Sequence, residues 1–213
     1  MMKVLDLFKN SSGPFSLYER VSSVSKNRGI MNLFIRLFRV IFHAFFRPKI
    51  SFYDVSEVKF RVWLNDIDLN LHLTNSRYLS VMDLGRTDFL IRSGLGQYFL
   101  KNRWQAVLGS ASLRFRRSLR PFQAYKLKTQ IVGLDEKWAY IEQRFESEEG
   151  LVAYGIVRGI FTVKGKSIPI KDVLQTLGLP GDLPALREDL VHWNEMDQAS
   201  REYLLEKGFI HRK

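Results

Sequence analysis

One helical segment with strand-like segments around it is the feature that most constrains the fold. Residues 76–92 place apolar side chains at the spacing of a helix with one buried face. An alternating segment at 57–64 precedes them as a first strand. Four later segments have strand composition and end at turn residues: 104–116, 124–134, 137–147 and 151–164. This order predicts an α+β fold in which an antiparallel sheet packs around one long helix.

The composition indicates an ordered protein without cysteine. Of the 213 residues, 46% are hydrophobic and 13% aromatic, which is enough to build a core and argues against disorder. The absence of cysteine excludes disulfide bonds, thiolate metal sites and a cysteine nucleophile. It is also compatible with a reducing compartment.

Positive charge is concentrated near the N-terminus. Residues 1–50 hold nine Lys or Arg residues against two acidic ones, a net +7 of the chain's +11. The rest of the chain therefore carries only +4, which is little for a nucleic-acid-binding domain, and no nucleic-acid partner is expected. The basic N-terminal region instead indicates an anionic surface as its partner.

Residues 30–46 (IMNLFIRLFRVIFHAFF) predict an amphipathic helix that lies on a membrane. On a helical wheel the polar side chains fall within one stripe about 80° wide: Asn32, Arg36, Arg39, His43 and Arg47. Most of the other side chains are apolar, among them Phe34, Phe38, Phe42 and Phe45. A spanning helix would place two arginines in the bilayer at about 2.5–3.5 kcal/mol each. An in-plane helix avoids this cost, because the arginines can reach lipid phosphates.

Two alternatives remain open for this segment. Its apolar face could pack on the body of the protein or on another subunit, and the basic, Ser-rich region could be a mitochondrial presequence. The expected location is the cytoplasmic side of a membrane, as a peripheral protein. Because Pro48 ends the helix, the sequence divides into a basic region at 1–50, a folded domain at 57–168 and a helical extension at 169–213.

Polar residues alternate with apolar ones just before the long helix. Asp66, Asp68, Asn70 and His72 are each two residues apart, and an extended segment would project them the same way. The helix that follows offers unpaired N–H groups and the positive end of its dipole, which can stabilise an oxyanion. A carboxylate there can activate water or attack a carbonyl, so the pattern favours acyl transfer to water. The alternative, a polar loop that satisfies its own backbone around a tight turn, remains open.

Three other kinds of site do not fit this stretch. An EF-hand calcium loop needs Gly at its sixth position and Glu at its twelfth, and the chain has Leu71 and Arg77 there. A zinc site would need several His or Cys ligands, and the chain has four histidines and no cysteine. The G-x-S-x-G nucleophile elbow is not supplied by LGSAS at 108–112.

The stretch DIDLNLHLTNSRYLSVMDLGR resembles the signature of hot-dog-fold thioesterases of the 4-hydroxybenzoyl-CoA thioesterase type. That signature runs D-x-D-x-x-G-H-x-N-N-x-x-Y, followed by an acidic residue and Arg. Seven positions match it: Asp66, Asp68, His72, Asn75, Tyr78, Asp83 and Arg86. Asn70 matches the D-x-N-x-H form of the plant acyl-ACP thioesterases, while Leu71 and Thr74 replace the usual glycine and first asparagine. The resemblance to this superfamily, including animal members, covers roughly residues 57–205.

The resemblance implies a hot-dog domain, in which a curved antiparallel sheet wraps a long central helix, paired as a homodimer with active sites at the interface. It implies hydrolysis of fatty acyl thioesters of coenzyme A or acyl carrier protein, with no metal and no cofactor besides the coenzyme A of the substrate. Asp68 falls on the catalytic aspartate, as general base or nucleophile, and Asn70 and His72 fall on its supporting pair. The alternative function is a non-catalytic acyl-lipid binding or scaffold protein with the same fold.

Substrate contacts are expected close to this motif. Four residues are predicted to bind substrate: Asn75, Tyr78, Arg116 and Arg117. The two arginines belong to an arginine-rich strand end that suits the phosphates of coenzyme A or a carrier protein, although a solvated strand end is the alternative. Asp83 and Arg86 are three residues apart on the helix and are predicted to form a structural ion pair.

Overall fold

The computed structural model describes residues 33–181, 183 and 185–211. Five helices are named in chain order: α1 at 33–46, α2 at Asn75–Arg92, α3 at Leu95–Asn102, α4 at Ile170–Thr176 and α5 at Glu188–Glu206. Six strands are named likewise: β1 at Ser56–Arg61, β2 at Trp104–Phe115, β3 at Ala124–Leu134, β4 at Ala139–Ser147, β5 at Gly150–Val163 and β6 at Lys166–Ile168. The first three residues of the helix predicted at 30–46 lie outside the described residues.

The six strands form one antiparallel sheet curled around α2. The strand order is β1-β3-β4-β5-β2, and β6 pairs with β5. Each neighbouring pair is antiparallel. In this order β1 and β2 are the two edges of the sheet among the described strands. This confirms the predicted α+β fold and the four long strands, whose bounds differ from the prediction by no more than two residues.

One face of α2 packs into the concave side of the sheet. Tyr78, Val81 and Met82 are buried there, and Gly85 allows the closest approach. A Cβ at Gly85 would lie only 2.6 Å from Leu127 Cδ2 and 2.7 Å from Thr129 Oγ1. This contact determines which side of the helix faces the sheet. Leu79, which the apolar pattern places on the buried face, is 44% exposed.

The sequence did not predict the short strand β6, and the segments on either side of α2 also differ from the prediction. The strand predicted at 57–64 ends at Arg61, because the Trp63 N–H donates to the Asp66 carboxylate at 2.9 Å and closes a short 3-10 turn over Leu64–Asp66. After α2 ends at Arg92, Gly94 leads directly into another helix. It takes a positive φ of 79° and precedes α3, which the sequence did not predict.

The C-terminal helix α5 covers the convex side of the sheet. Leu190 is fully buried in one cluster with Tyr140 and Ile156. The Arg158 guanidinium lies 4.4 Å from the centre of the Trp138 ring and 5.7 Å from that of Trp193. The extension after residue 168 therefore contributes directly to the packing of the sheet.

Helix α1 packs on the body of the protein through the side that carries Val40. Val40 is buried in one cluster with Val58 of β1 and Leu84 of α2. The opposite side of α1 is an exposed aromatic surface, called here the Phe face and made of Phe34, Phe38, Phe42, Phe45 and Phe46. Among the residues that the structure describes, no helix has both the length and the apolar character needed to cross a membrane.

Candidate active site

The segment between the 3-10 turn and α2 is a tight turn. Ile67 pairs with Leu73 in an isolated antiparallel bridge, and the Asp68 N–H donates to the His72 carbonyl at 2.9 Å. Leu71 has a φ of 57°, in the left-handed region. It occupies the position where the thioesterase signature has glycine, which adopts such angles without strain. The extended arrangement suggested by the alternation is therefore wrong, because the chain reverses between Asp68 and His72.

One oxygen of Asp68 holds this turn together. Its Oδ1 accepts the backbone N–H of Asn70 at 2.9 Å and that of His72 at 3.3 Å. Its Oδ2 has no hydrogen-bond partner within the described residues, and the side chain is exposed. Asp68 thus stabilises the backbone of the turn, as the polar-loop alternative expected. It also keeps one carboxylate oxygen free to react with a substrate.

A cleft of about 330 Å³ opens beside this turn. It brings together all seven residues predicted for the site: Asp68, Asn70, His72, Asn75, Tyr78, Arg116 and Arg117. Their roles stay predictions, but their convergence from two separate parts of the chain is a property of the structure. Sequence reasoning missed Leu73, Phe115 and Ser118, which line the same cleft and carry no chemical motif of their own.

The N-terminus of α2 adjoins the cleft. Thr74 is the N-cap residue, and its side chain makes no capping hydrogen bond. The helix is 18 residues long, so its first turn presents unpaired N–H groups and the positive end of a full helix dipole. Asn75, the first helical residue, lines the cleft. This end of α2 can therefore stabilise negative charge that develops on a substrate oxygen.

Tyr78 contributes a buried wall of the cleft. Its ring packs edge-on against Phe115 at 5.0 Å and Phe145 at 4.9 Å between ring centres. Burial raises the pKa of the Tyr78 phenol to about 12, so the group stays neutral at physiological pH. It can pack against a substrate or donate a hydrogen bond, but it is unsuited to act as a base.

Arg116 and Arg117 follow the end of β2. Both backbone N–H groups donate to the Val152 carbonyl, at 2.9 and 3.0 Å. The Arg117 guanidinium also donates to the Glu149 carbonyl. Arg116 is exposed, and its side chain has no ion-pair or hydrogen-bond partner among the described residues. The cleft therefore combines one free carboxylate oxygen with a cationic rim.

Asp66 has a different position from the other alternating residues. It is buried outside the cleft, where its carboxylate contacts the Arg36 guanidinium of α1 and lies 3.5 Å from Nε of Arg77. Its backbone carbonyl accepts the Thr74 N–H at 2.9 Å, which fixes the start of α2. The sequence held no signal for the Arg36 contact, because the partners are 30 residues apart.

Asp83 and Arg86 form the predicted ion pair outside the cleft. Asp83 is exposed, while the other side of the Arg86 guanidinium donates to Gln143 Oε1 at 2.6 Å. Burial lowers the pKa of Arg86, and the neighbouring Asp83 opposes that shift. The pair joins α2 to the sheet and is not part of the site.

Comparison with known proteins gives consistent matches. The family model described as the Thioesterase-like superfamily matches residues 62–179. A zebrafish (Danio rerio) protein, "Protein THEM6", is 34% identical over 145 residues, covering 68% of this chain and 71% of the relative. A fruit-fly (Drosophila melanogaster) protein of the same name is 29% identical over 178 residues, covering 82% and 90%. The resemblance to animal members of the superfamily, expected from the sequence, is thus confirmed.

The fold is shared with solved thioesterase structures. The structure titled "Crystal Structure of YbaW Probable Thioesterase from Escherichia coli" superposes with a TM-score of 0.54 at 21% identity, covering 57% of this chain and 95% of that one. The part shared with such structures is the helix and its curled sheet, which is the hot-dog fold. At this level of identity the likeness shows the fold alone.

Proposed function

The chain belongs to the Thioesterase-like superfamily. Relatives of the thioesterase class support the same activity for it, and we propose that it hydrolyses fatty acyl-CoA at a membrane surface, as a homodimer. One observation carries the choice of site: Asp68 presents a free carboxylate oxygen in a cleft that also holds the open N-terminus of α2. The two features are the base and the oxyanion stabiliser that thioester hydrolysis needs.

Asp68 begins the reaction in one of two ways. As a general base, Oδ2 takes a proton from a water whose oxygen attacks the thioester carbonyl carbon. As a nucleophile, the same oxygen attacks that carbon to give a mixed anhydride, which water then hydrolyses. In both routes the carbon–sulfur bond breaks, and the thiolate of coenzyme A leaves and takes up a proton. The products are a fatty acid and free coenzyme A.

The other residues of the cleft hold the substrate. The N–H groups at the start of α2 donate hydrogen bonds to the carbonyl oxygen as negative charge develops on it. Asn70 and His72 line the cleft beside Asp68. The Asn70 amide can orient the thioester through hydrogen bonds, and the His72 imidazole can protonate the departing sulfur. Arg116 has a free guanidinium suited to the phosphates of coenzyme A or of a carrier protein.

The test is hydrolysis of an acyl-CoA panel from short to long chains by the full chain in mild detergent. Release of coenzyme A is followed with a thiol reagent, and the absence of cysteine means that the protein adds no background signal. We expect turnover that depends on acyl length. A folded protein that binds acyl-CoA but hydrolyses none of the panel, nor the matching acyl-carrier-protein substrates, would replace this proposal with the non-catalytic lipid-binding alternative.

The edge strand β2 supports the homodimer. It is 12 residues long, pairs with β5 alone among the described strands, and leaves most of its side chains exposed. An exposed edge of this length is open to pairing with a second chain. Phe115 and Arg116 of the cleft lie at the end of the same strand. A dimer formed through β2 would therefore place the two sites at the subunit interface.

Leu108→Arg should convert the proposed dimer to a monomer. Leu108 lies in the middle of β2 and is 47% exposed in the single chain, so the charge would be buried at the interface and would oppose pairing. Light scattering after size-exclusion chromatography gives the mass. Val191→Arg is the control, because it makes a similar change at a side chain that is 40% exposed and lies on α5 instead of β2. Equal masses for wild type and Leu108→Arg would contradict pairing through this strand.

The Phe face supports attachment to a membrane. It is too apolar to remain in water without a partner, and the arginines of the predicted polar stripe do not all face lipid. Arg36 is buried against Asp66, and Arg47 lies 3.4 Å from Asp88. α1 is thus attached rigidly to the body, and the Phe face can enter a bilayer while the domain stays at the surface.

Phe38→Glu should weaken vesicle binding by about tenfold or more, since a phenylalanine contributes roughly 1.5–3 kcal/mol when its exposed surface is removed from water. Sedimentation with phosphatidylcholine–phosphatidylserine vesicles measures the bound fraction. Phe209→Glu is a matched control, because Phe38 and Phe209 are both 71% exposed and only Phe38 lies on the Phe face. Equal losses in both variants would show that the Phe face has no special role.

A further inference from the structure

A groove between α1 and β1 has no role in the proposed hydrolysis. It is called here the α1–β1 groove, and its volume is about 770 Å³, within the range of small-molecule sites. Its apolar lining comes from Val40 of α1, Val58 and Phe60 of β1, and Trp63. An apolar lining of this size suits a ligand with a hydrocarbon part.

Several charged residues of the groove are already paired. Arg36 contacts Asp66, and Glu57 lies 3.3 Å from Lys126. Asp88 is buried, accepts a hydrogen bond from Ser56, and lies 3.4 Å from both Arg47 and Arg92. The two carboxylates that line the groove are therefore neutralised by partners within the protein.

The remaining charge of the groove is positive. Arg39 and Lys59 are exposed and have no ion-pair or hydrogen-bond partner in the part of the chain that the structure describes. Arg61 donates to the Phe122 carbonyl at 2.8 Å, which leaves its charge uncompensated. Cations such as Lys59 can protect a sheet edge from pairing, but this does not account for Arg39, which lies on a helix.

We propose that the α1–β1 groove binds one anionic phospholipid, with the lipid phosphate between Arg39 and Lys59 and hydrocarbon against the apolar lining. The proposal rests on the membrane attachment proposed above. Two features of the groove select this ligand: its two free cations suit the phosphate, and its apolar lining suits the hydrocarbon tail.

The position of Arg39 favours a membrane lipid over a free anion. Successive helical residues are about 100° apart, so Arg39 lies between Phe38 of the exposed Phe face and Val40, which is buried against the body. When the Phe face enters the bilayer, the Arg39 flank of α1 is at the level of the headgroups. Because Arg39 also lines the groove, the groove extends to that flank, where a lipid is within reach.

The experiment has a soluble and a membrane arm, both with the full chain. In the first, dihexanoyl-phosphatidylserine below its micelle concentration is titrated calorimetrically, with inorganic phosphate as the comparison probe. In the second, sedimentation compares phosphatidylcholine vesicles with and without phosphatidylserine. The test variant is Arg39→Gln with Lys59→Gln. The control is Lys171→Gln with Arg201→Gln, which makes the same charge change at exposed residues of α4 and α5.

We expect saturable binding of one soluble lipid per chain, weakened at least tenfold in the test variant and unchanged in the control. The proposal would be overturned if the soluble lipid did not bind and both variants lost vesicle binding equally. The overall positive charge of the protein, and not the groove, would then account for vesicle binding. Inorganic phosphate bound as tightly as the lipid would also overturn it. If the soluble lipid binds while the vesicles do not, the groove stands and the proposed membrane attachment fails.

Discussion

Asp68→Asn is expected to lower kcat/KM for acyl-CoA by about 10²–10⁴-fold, the range for loss of a general base. The amide is nearly the same size as the carboxylate but cannot accept the proton of water or attack the thioester. Its oxygen can still accept the N–H groups of Asn70 and His72, which Oδ1 of Asp68 accepts at 2.9 and 3.3 Å. The turn should therefore keep its shape, and the loss should be chemical.

A second variant separates the two roles of Asp68. Asp68→Ala removes the turn hydrogen bonds as well as the charge, so we expect it to lower thermal stability, which Asp68→Asn should leave close to wild type. Asp172→Asn, which changes an exposed carboxylate on α4, is the control for a change of net charge. Full turnover by folded Asp68→Asn would rule out Asp68 as base or nucleophile.

Arg36→Ala is expected to lower the free energy of unfolding by about 3–5 kcal/mol, the usual loss when one partner of a buried ion pair is removed. The change leaves the buried Asp66 carboxylate with Arg77 at 3.5 Å and the Trp63 N–H at 2.9 Å. Urea unfolding measures the change through the transition midpoint. We also expect weaker turnover, because Asp66 fixes the start of α2 through Thr74.

Arg39→Ala is the matched control for this variant. It removes the same side chain from the same helix three residues later, where Arg39 is exposed and unpaired within the described residues, so the expected change is below about 0.5 kcal/mol. The double variant Arg36→Ala with Asp66→Ala should recover part of the loss, because the buried Asp66 carboxylate, which loses its Arg36 partner in the single variant, is then absent. Similar midpoints for Arg36→Ala and Arg39→Ala would show that the Arg36–Asp66 contact does not stabilise the protein.

The predicted site residues illustrate what sequence reasoning can reach. Asp68, Asn70 and His72 lie in one short stretch, so their spacing could predict that they share a site, and the structure places all three in one cleft. The extended geometry suggested for them was wrong, because the turn depends on Leu71 at a positive φ and on hydrogen bonds to Asp68 Oδ1. Alternation is a one-dimensional pattern, and the same spacing is compatible with a strand or with a closed turn.

The sequence by itself determined the strands, the long helix, the cluster of chemical groups and the amphipathic character of α1, because each depends on residues close together in the chain. Only the tertiary structure decided that Arg36 faces Asp66 instead of lipid, that α5 covers the convex side of the sheet, and that β2 is an open edge. These are contacts between segments tens of residues apart. They depend on which surfaces remain uncovered after the sheet has curled around α2, and no local pattern carries that information.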